Sequence, residues 1–510
     1  MQRINIQKIS LAMLLVTLLS SCSRTSDNEL PRLFWSEDVY QDASRFAGQC
    51  RADYQKYFLR SVFNRFYYWY QDIVDADPAS FNSIGEYFDE LVSDEITPSL
   101  KPRDAYSTFV SSNDYADLVS GDRERGYGIR YTTSEPGFEG EVYAGYVVPG
   151  SPAALAGIQR GDRISSVDGF SFEEPDREFS LPALFPRSVG ESHDFQIVGT
   201  GTVALISADV NFDPVQYAQI LPGTDIGYLF FDDHALDAEG ELIEAFDTFA
   251  AHSAGNGIDD LILDLRYNSG GLLFIASQVA YMIAGEAQTS NKIFEELRYN
   301  DRFFAEDFEF IRTGRHPPGN TEAPLPTVSL NRVVVISDHA TCSASESIIN
   351  ALRGIGVEVI LVGERSCGKP YGFIGFDNCG TTWLPVEFQS FNNAGESDYA
   401  DGFFAGAGTF GVSLPGCTVA DDFSSALGDI TEARIAAAVQ YLDSSTCPAA
   451  LISSNSASVA TATVSAASTA TRSYQPVRNH TGSAMLRALQ GTRILAERED
   501  VKPLDAAGED

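Results

Sequence analysis

Between Val215 and Cys447 the apolar positions fall into short unbroken runs separated by longer amphipathic stretches. Ile226–Phe231, Leu261–Leu265 (interrupted only by Asp264), Val333–Ile336 and Val359–Val362 are such runs, and near-continuous apolar strands are the mark of a parallel sheet covered on both faces. Glu241–Ala251, lying between two of them, is amphipathic and predicts a helix. The alternation of strand and helix makes residues 214–447 an α/β core.

The flanking regions carry other patterns. From about Pro31 to Ser112 the spacing is helical: Tyr57–Tyr70 is dense in aromatics at i, i+3 and i+4, the mark of a packed face, and residues 22–122 are read as an N-terminal helical domain. Between residues 123 and 213 short strands and turns take over. Gly126-Tyr127-Gly128-Ile129 precedes a strand, Val147–Ile158 runs from a strand into a short helix, and Gly161–Gly169 supplies a turn, an apolar strand and a hairpin turn. Residues 448–510 contain a stretch of Ala, Ser, Thr and Val without periodicity and then mixed charge, which predicts a mostly disordered tail.

At the other end, Arg3 and Lys8 precede the apolar stretch Leu11–Leu19, too short to span a bilayer, and Leu19-Ser20-Ser21-Cys22 resembles a bacterial lipobox. Residues 1–21 are therefore expected to be a lipoprotein signal peptide and Cys22 the lipidated N-terminus. This places the mature chain in the bacterial cell envelope, anchored to the membrane by lipid and facing the periplasm or exterior. Six further cysteines, Cys50, Cys342, Cys367, Cys379, Cys417 and Cys447, form an even set that an oxidising compartment permits to pair in three bridges, with fifteen possible pairings. They have no metal-ligand spacing, so no metal site is expected.

Charge narrows the partners. The chain has 71 acidic against 35 basic residues among 510, a net charge of −36 that repels a phosphate backbone and argues against nucleic acid. Only six of the basic residues are lysines: Lys8, Lys56, Lys101, Lys292, Lys369 and Lys502.

One of these, Lys369, lies in Gly363–Pro370, the loop after the Val359–Val362 strand; the loop after the preceding strand holds Cys342-Ser343-Ala344-Ser345-Glu346. In a parallel sheet both loops leave the same carboxyl edge, where α/β sites lie, so a serine and a lysine can meet there. A serine hydroxyl needs a base, and a lysine serves when burial lowers its proton affinity. Ser343 and Ser345 as helix caps, with Lys369 as a surface residue, is the plain structural alternative.

Two resemblances sharpen the choice. The run of strand, Gly150-Ser151-Pro152-Ala153, Ala156-Gly157-Ile158, Gly161-Asp162 and Val167-Asp168-Gly169 resembles a PDZ domain of the bacterial protease type, which implies peptide capture by strand addition, with Gly126, Tyr127, Gly128 and Ile129 as the carboxylate cradle. Ser343-Ala344-Ser345-Glu346, Gly368-Lys369 and Leu263-Asp264-Leu265-Arg266-Tyr267-Asn268-Ser269-Gly270-Gly271 are similar to the S41 family of C-terminal processing proteases. That resemblance spans about residues 31–445. It implies a multidomain α/β fold: an N-terminal helical segment, a PDZ-like β-rich domain and a serine-protease core of the ClpP/crotonase-like type.

The S41 resemblance also implies Ser343 as nucleophile, Lys369 as base, and an oxyanion hole of backbone N–H groups from Ala344, Gly270 and Gly271. Asp264 and Arg266 then organise the loop, while His339, His234 and Ser345 are weaker alternatives for base or nucleophile. Phe373 stands where many members carry glutamine, and Arg353-Gly354 where an aspartate is common, so no third polar residue carries over. A Cys342–Cys367 bridge would staple the dyad. The expected partner is a polypeptide with an accessible C-terminus; a peptide-binding adaptor with an inactive core is the alternative.

Overall fold

The structure, a computed structural model, describes residues 32–120, 124–135, 139–172, 177–186, 188–314, 323–449 and 493–494. The signal segment, Cys22 and nearly all of the tail lie outside the described residues.

The apolar runs form one six-stranded sheet in the order Val215–Ile220, Ile226–Phe231, Asp260–Asp264, Arg332–Ser337, Glu358–Gly363 and Gly416–Thr418. The first pair is antiparallel and every other pair parallel. The continuous runs are explained by the two layers. Leu229, Phe231, Leu261, Leu263, Val333, Val335 and Leu361 point to one side, against the helices Ala238–Gly255, Leu273–Thr289 and Ala344–Ile355. Their sequence neighbours Tyr228, Phe230, Ile262, Val334, Ile336 and Val362 point to the other, against helix Ala433–Ser444.

Residues 129–206 form a second, antiparallel sheet in the order Ile129–Glu135, Glu139–Val147, Arg163–Val167, Ser192–Ile197 and Gly201–Ile206, with Phe170–Ser171 pairing beside Arg163–Val167. Asp168 and Gly169, both at positive φ, close the hairpin that Val167-Asp168-Gly169 predicts. Its core is Tyr127, Ile129, Val142, Ala144, Ile164, Val167, Leu181, Leu184 and Phe195. This sheet leans on the α/β core through buried polar groups. Arg130 pairs with Asp232 at 2.7 Å, and Arg160 reaches both Asp421 at 2.7 Å and the Tyr267 hydroxyl at 2.8 Å.

The N-terminal segment holds both helices and a strand. Its helices Ala52–Phe66 and Ile84–Leu91 are present, but Thr108–Ser111 is a strand that pairs with Thr381–Leu384, and Cys50 is bridged to Cys379. These long-range ties make it part of the core. The tail departs from expectation at one place: Arg493–Ile494 adds as a parallel strand to Gly271–Leu272. Among the described residues no helix is long and apolar enough to cross a membrane.

Candidate active site

Ser337 and Gly363 are register partners in adjacent parallel strands, so the two loops beyond them start side by side. They stay together. Glu364 N–H donates to the Ser337 carbonyl at 2.9 Å and Cys367 N–H to the Thr341 carbonyl at 3.0 Å, and Cys342 and Cys367 are disulfide-bonded with their Cα atoms 5.2 Å apart. The staple expected between the residues flanking Ser343 and Lys369 is present.

Ser343 precedes helix Ala344–Ile355 with φ +57° and ψ −114°, a conformation uncommon for a residue with a side chain and one that concentrates at functional sites. It is fully buried, and its Oγ has no hydrogen-bond partner. A buried hydroxyl left without a partner is costly unless something else is meant to engage it. Lys369 is also buried. Its Nζ lies 4.3 Å from the ring centre of Phe373 and 5.1 Å from that of Tyr106.

Glu346 ties the two loops from the first turn of the helix. Its carboxylate accepts the N–H groups of Ser343 at 3.1 Å, Gly368 at 2.8 Å and Lys369 at 2.7 Å, and the Ser366 hydroxyl at 2.6 Å. Burial holds this carboxyl above its ordinary range, against hydrogen bonds that favour the ionised form. The sequence carried a signal for it: serine followed three residues later by glutamate at a helix start is the capping-box spacing.

The predicted oxyanion donors divide. Gly270 has φ +102°, and a Cβ there would sit 2.8 Å from the Ser343 Cβ and 3.0 Å from the Ala344 nitrogen, so the glycine turn abuts the serine loop. Its own N–H, however, donates to Asn268 Oδ1 at 3.0 Å, so Gly270 supplies close approach rather than a donor. Ala344 is the first residue of its helix, where the N–H has no intrahelical acceptor. Gly271, at φ +135°, packs against the His234 backbone.

Asn268 organises this turn. Its Nδ2 donates to the Phe231 carbonyl at 2.9 Å, its Oδ1 also accepts from His234 Nδ1 at 3.0 Å, and its carbonyl accepts from Cys342 N–H and the Ser345 hydroxyl, each at 3.1 Å. Because Oδ1 can only accept, His234 Nδ1 carries the proton. Burial pushes this histidine down to about 3, which keeps the ring neutral. The Ser345 hydroxyl is spent on Asn268, and His339 faces Thr133 at 3.3 Å and Glu364 at 3.7 Å. Arg266 is buried between Asp264, Asp421 and Glu432, the organising role expected of that pair.

Of the expected peptide cradle, Gly126 ends a strand paired to Ala208–Val210, and Tyr127 is buried against Phe195 with ring centres 4.9 Å apart. Gly128, at φ +79°, fits closely against Ser151, and Ile129 opens the strand Ile129–Glu135. Among the described residues that strand is paired on one side only, by Glu139–Val147. Its outer edge is the place where a peptide strand can add.

Comparison with known proteins agrees with this layout. Residues 225–372 match the model of peptidase family S41, and residues 143–176 that of a PDZ domain. A carboxyl-terminal-processing protease of Picosynechococcus is 26% identical over 230 residues, covering 44% of this chain and 49% of the relative. A chloroplastic carboxyl-terminal-processing peptidase of Arabidopsis thaliana is 28% identical over 287 residues, covering 52% of this chain and 50% of the relative. The chain spans about half the length of the curated relatives it matches. A crystal structure assigned to an S41 protease from Bacteroides fragilis shares the fold, with a TM-score of 0.54 and 23% identity over 76% of this chain and 97% of that one. Residues 225–372 thus carry a peptidase family S41 domain and residues 143–176 a PDZ domain.

Proposed function

We propose that the chain is a serine endopeptidase that captures a polypeptide C-terminus on its PDZ domain and cleaves with Ser343 and Lys369. The observation that carries this reading is the buried, unpartnered Ser343 Oγ, in a strained backbone at a helix start, on a loop fastened to the lysine loop by Glu346 and a disulfide. Lys369 Nζ takes the Ser343 proton as Oγ bonds to the substrate carbonyl carbon. The oxygen takes up negative charge beside the Ala344 N–H and the Gly271 turn. Collapse breaks the C–N bond while Lys369 returns the proton to the leaving amine. Water then attacks the acyl-enzyme, giving one proton to Lys369, which passes it back to Ser343 as the product carboxyl group leaves.

The mature protein acts outside the cytoplasm, held by lipid at Cys22 in the bacterial cell envelope. The lipobox-like Leu19–Cys22 supports this, as does the pairing of all six remaining cysteines as Cys50–Cys379, Cys342–Cys367 and Cys417–Cys447, a use of cysteine suited to an oxidising compartment.

The test is cleavage of an unstructured peptide with an apolar C-terminus by the mature chain and by its Ser343→Ala variant, followed by mass spectrometry. Cleavage by the parent alone supports the reading. Binding without cleavage by either makes the chain a peptide-binding adaptor.

A further inference from the structure

Four residues beyond Lys369 stands Phe373, a buried phenyl ring, and a second ring is brought to the amine from far away in the chain by Tyr106. Both ring centres lie within the distance at which an aromatic face and an ammonium attract. Tyr106 is fixed at both ends. Its hydroxyl donates to the Gly368 carbonyl at 2.8 Å, and its ring lies 6.1 Å from that of Tyr371, which in turn packs on Trp69 at 4.9 Å. The hydroxyl is enclosed: burial, followed by the charge of Glu346, pushes the phenol far above its usual range, so it stays a donor. Tyr106 belongs to the N-terminal segment whose next strand, Thr108–Ser111, pairs with Thr381–Leu384.

We propose that Tyr106 and Phe373 are positioning residues for Lys369, an aromatic sleeve that fixes the side chain and excludes water from its amine. The inference rests on the reading of Lys369 as base. An amine accepts a proton only when neutral, and two forces compete in such a sleeve. Exclusion of water disfavours the ammonium by up to several pH units, while attraction to the ring faces favours it by less. Exclusion of water is the larger of the two, so the sleeve favours the neutral amine. The charged or titratable groups that act on the Tyr106 hydroxyl are Glu346 from the serine helix, Tyr371 and Asp401 from the loops beyond the lysine, and Asp104 from the N-terminal segment. The Glu346 carboxylate is occupied by the backbone N–H groups of Gly368 and Lys369.

The experiment is the pH dependence of kcat and kcat/KM on one unstructured peptide for the parent, Phe373→Leu, Phe373→Met, Tyr106→Leu and Tyr106→Phe. Opening the sleeve in Phe373→Leu or Tyr106→Leu is expected to lower kcat about tenfold, part of the 10²–10⁴ that a positioned base contributes, and to move the acid limb of kcat/KM upward by about one pH unit. KM should change less than twofold. Tyr106→Phe keeps the ring and should keep the parent's acid limb. A flexible, unbranched side chain that fills irregular gaps makes Phe373→Met the deciding variant if Phe373→Leu does not fold. An acid limb that superimposes on the parent's in the folded Phe373 and Tyr106→Leu variants overturns the sleeve. Lys369→Ala separates the two ideas: full activity in that variant overturns the base itself, whereas loss of activity there with unmoved limbs elsewhere overturns only the sleeve.

Discussion

Glu346 accepts the backbone N–H of Lys369 at 2.7 Å from a helix that begins one residue after Ser343, so a single buried carboxylate sets the spacing of the two loops. Removing it strands several donors at once. With roughly 1–3 kcal/mol lost for each buried group left unsatisfied, Glu346→Ala is expected to cost at least about 3 kcal/mol. Glu346→Gln keeps the shape and one acceptor, so it should fold yet lose kcat by about tenfold as the loops drift. Urea unfolding and steady-state kinetics measure the two effects; parent-like kcat in Glu346→Gln would mean the carboxylate serves folding alone.

His234 makes the fold sensitive to acid. Its folded value near 3 lies below the ordinary 6.5, so the unfolded chain binds the extra proton and stability rises with pH between those values. The contribution is complete above about pH 6.5 and is lost as pH falls toward 3, about 2 kcal/mol of it by pH 5 at ~1.4 kcal/mol per unit. His339 runs the other way. Glu364 and Asp338 outweigh burial and raise it, so its contribution is present below the unfolded value and is lost as pH rises through the raised one. The expected result is a lower Tm at pH 5 than at pH 7, with the difference reduced in His234→Asn, which retains a donor for Asn268. An equal difference in both proteins would remove His234 as the cause.

The disulfides allow location to be separated from cross-linking. Cys342–Cys367 and Cys417–Cys447 close stretches of similar length, with sequence separations of 25 and 30. Chain entropy assigns each about 3 kcal/mol. Cys342→Ala/Cys367→Ala and Cys417→Ala/Cys447→Ala should therefore lose similar stability, yet only the first should lower kcat substantially, because only it joins the serine and lysine loops. Similar kcat losses in both double variants would show that the staple acts through stability alone.

The parts of this fold that sequence makes legible are those whose cause is local. Val333–Ile336 and Val359–Val362 read as buried parallel strands because both faces of each run are apolar, and parallel connectivity then puts Ser343 and Lys369 at one edge. The disulfide pairing is a different matter, since Cys50 and Cys379 are 329 residues apart and nothing near either names the other. Thr108–Ser111 is likewise too short to stand out from the helical segment before it, and its partner Thr381–Leu384 is supplied by the tertiary fold. Tyr106 follows the same logic: its place beside Lys369 is set by that distant pairing rather than by any neighbour in sequence.

That long-range logic also governs Arg493–Ile494. This segment is expected to shield the site, because its partner Gly271–Leu272 starts at the turn that abuts Ser343, and it also approaches Tyr371–Gly372, just after Lys369. A strand added there would compete with an extended substrate that reaches Ser343 along this edge. A chain ending at Ala449 keeps the Cys417–Cys447 bridge and should show a lower KM than the full chain, with kcat little changed. A peptide spanning residues 488–499, added in trans, should restore the higher apparent KM. Equal KM for the two chains, with no inhibition by that peptide, would place the segment outside the substrate path, whereas inhibition that rises with peptide concentration and falls with substrate concentration identifies direct competition.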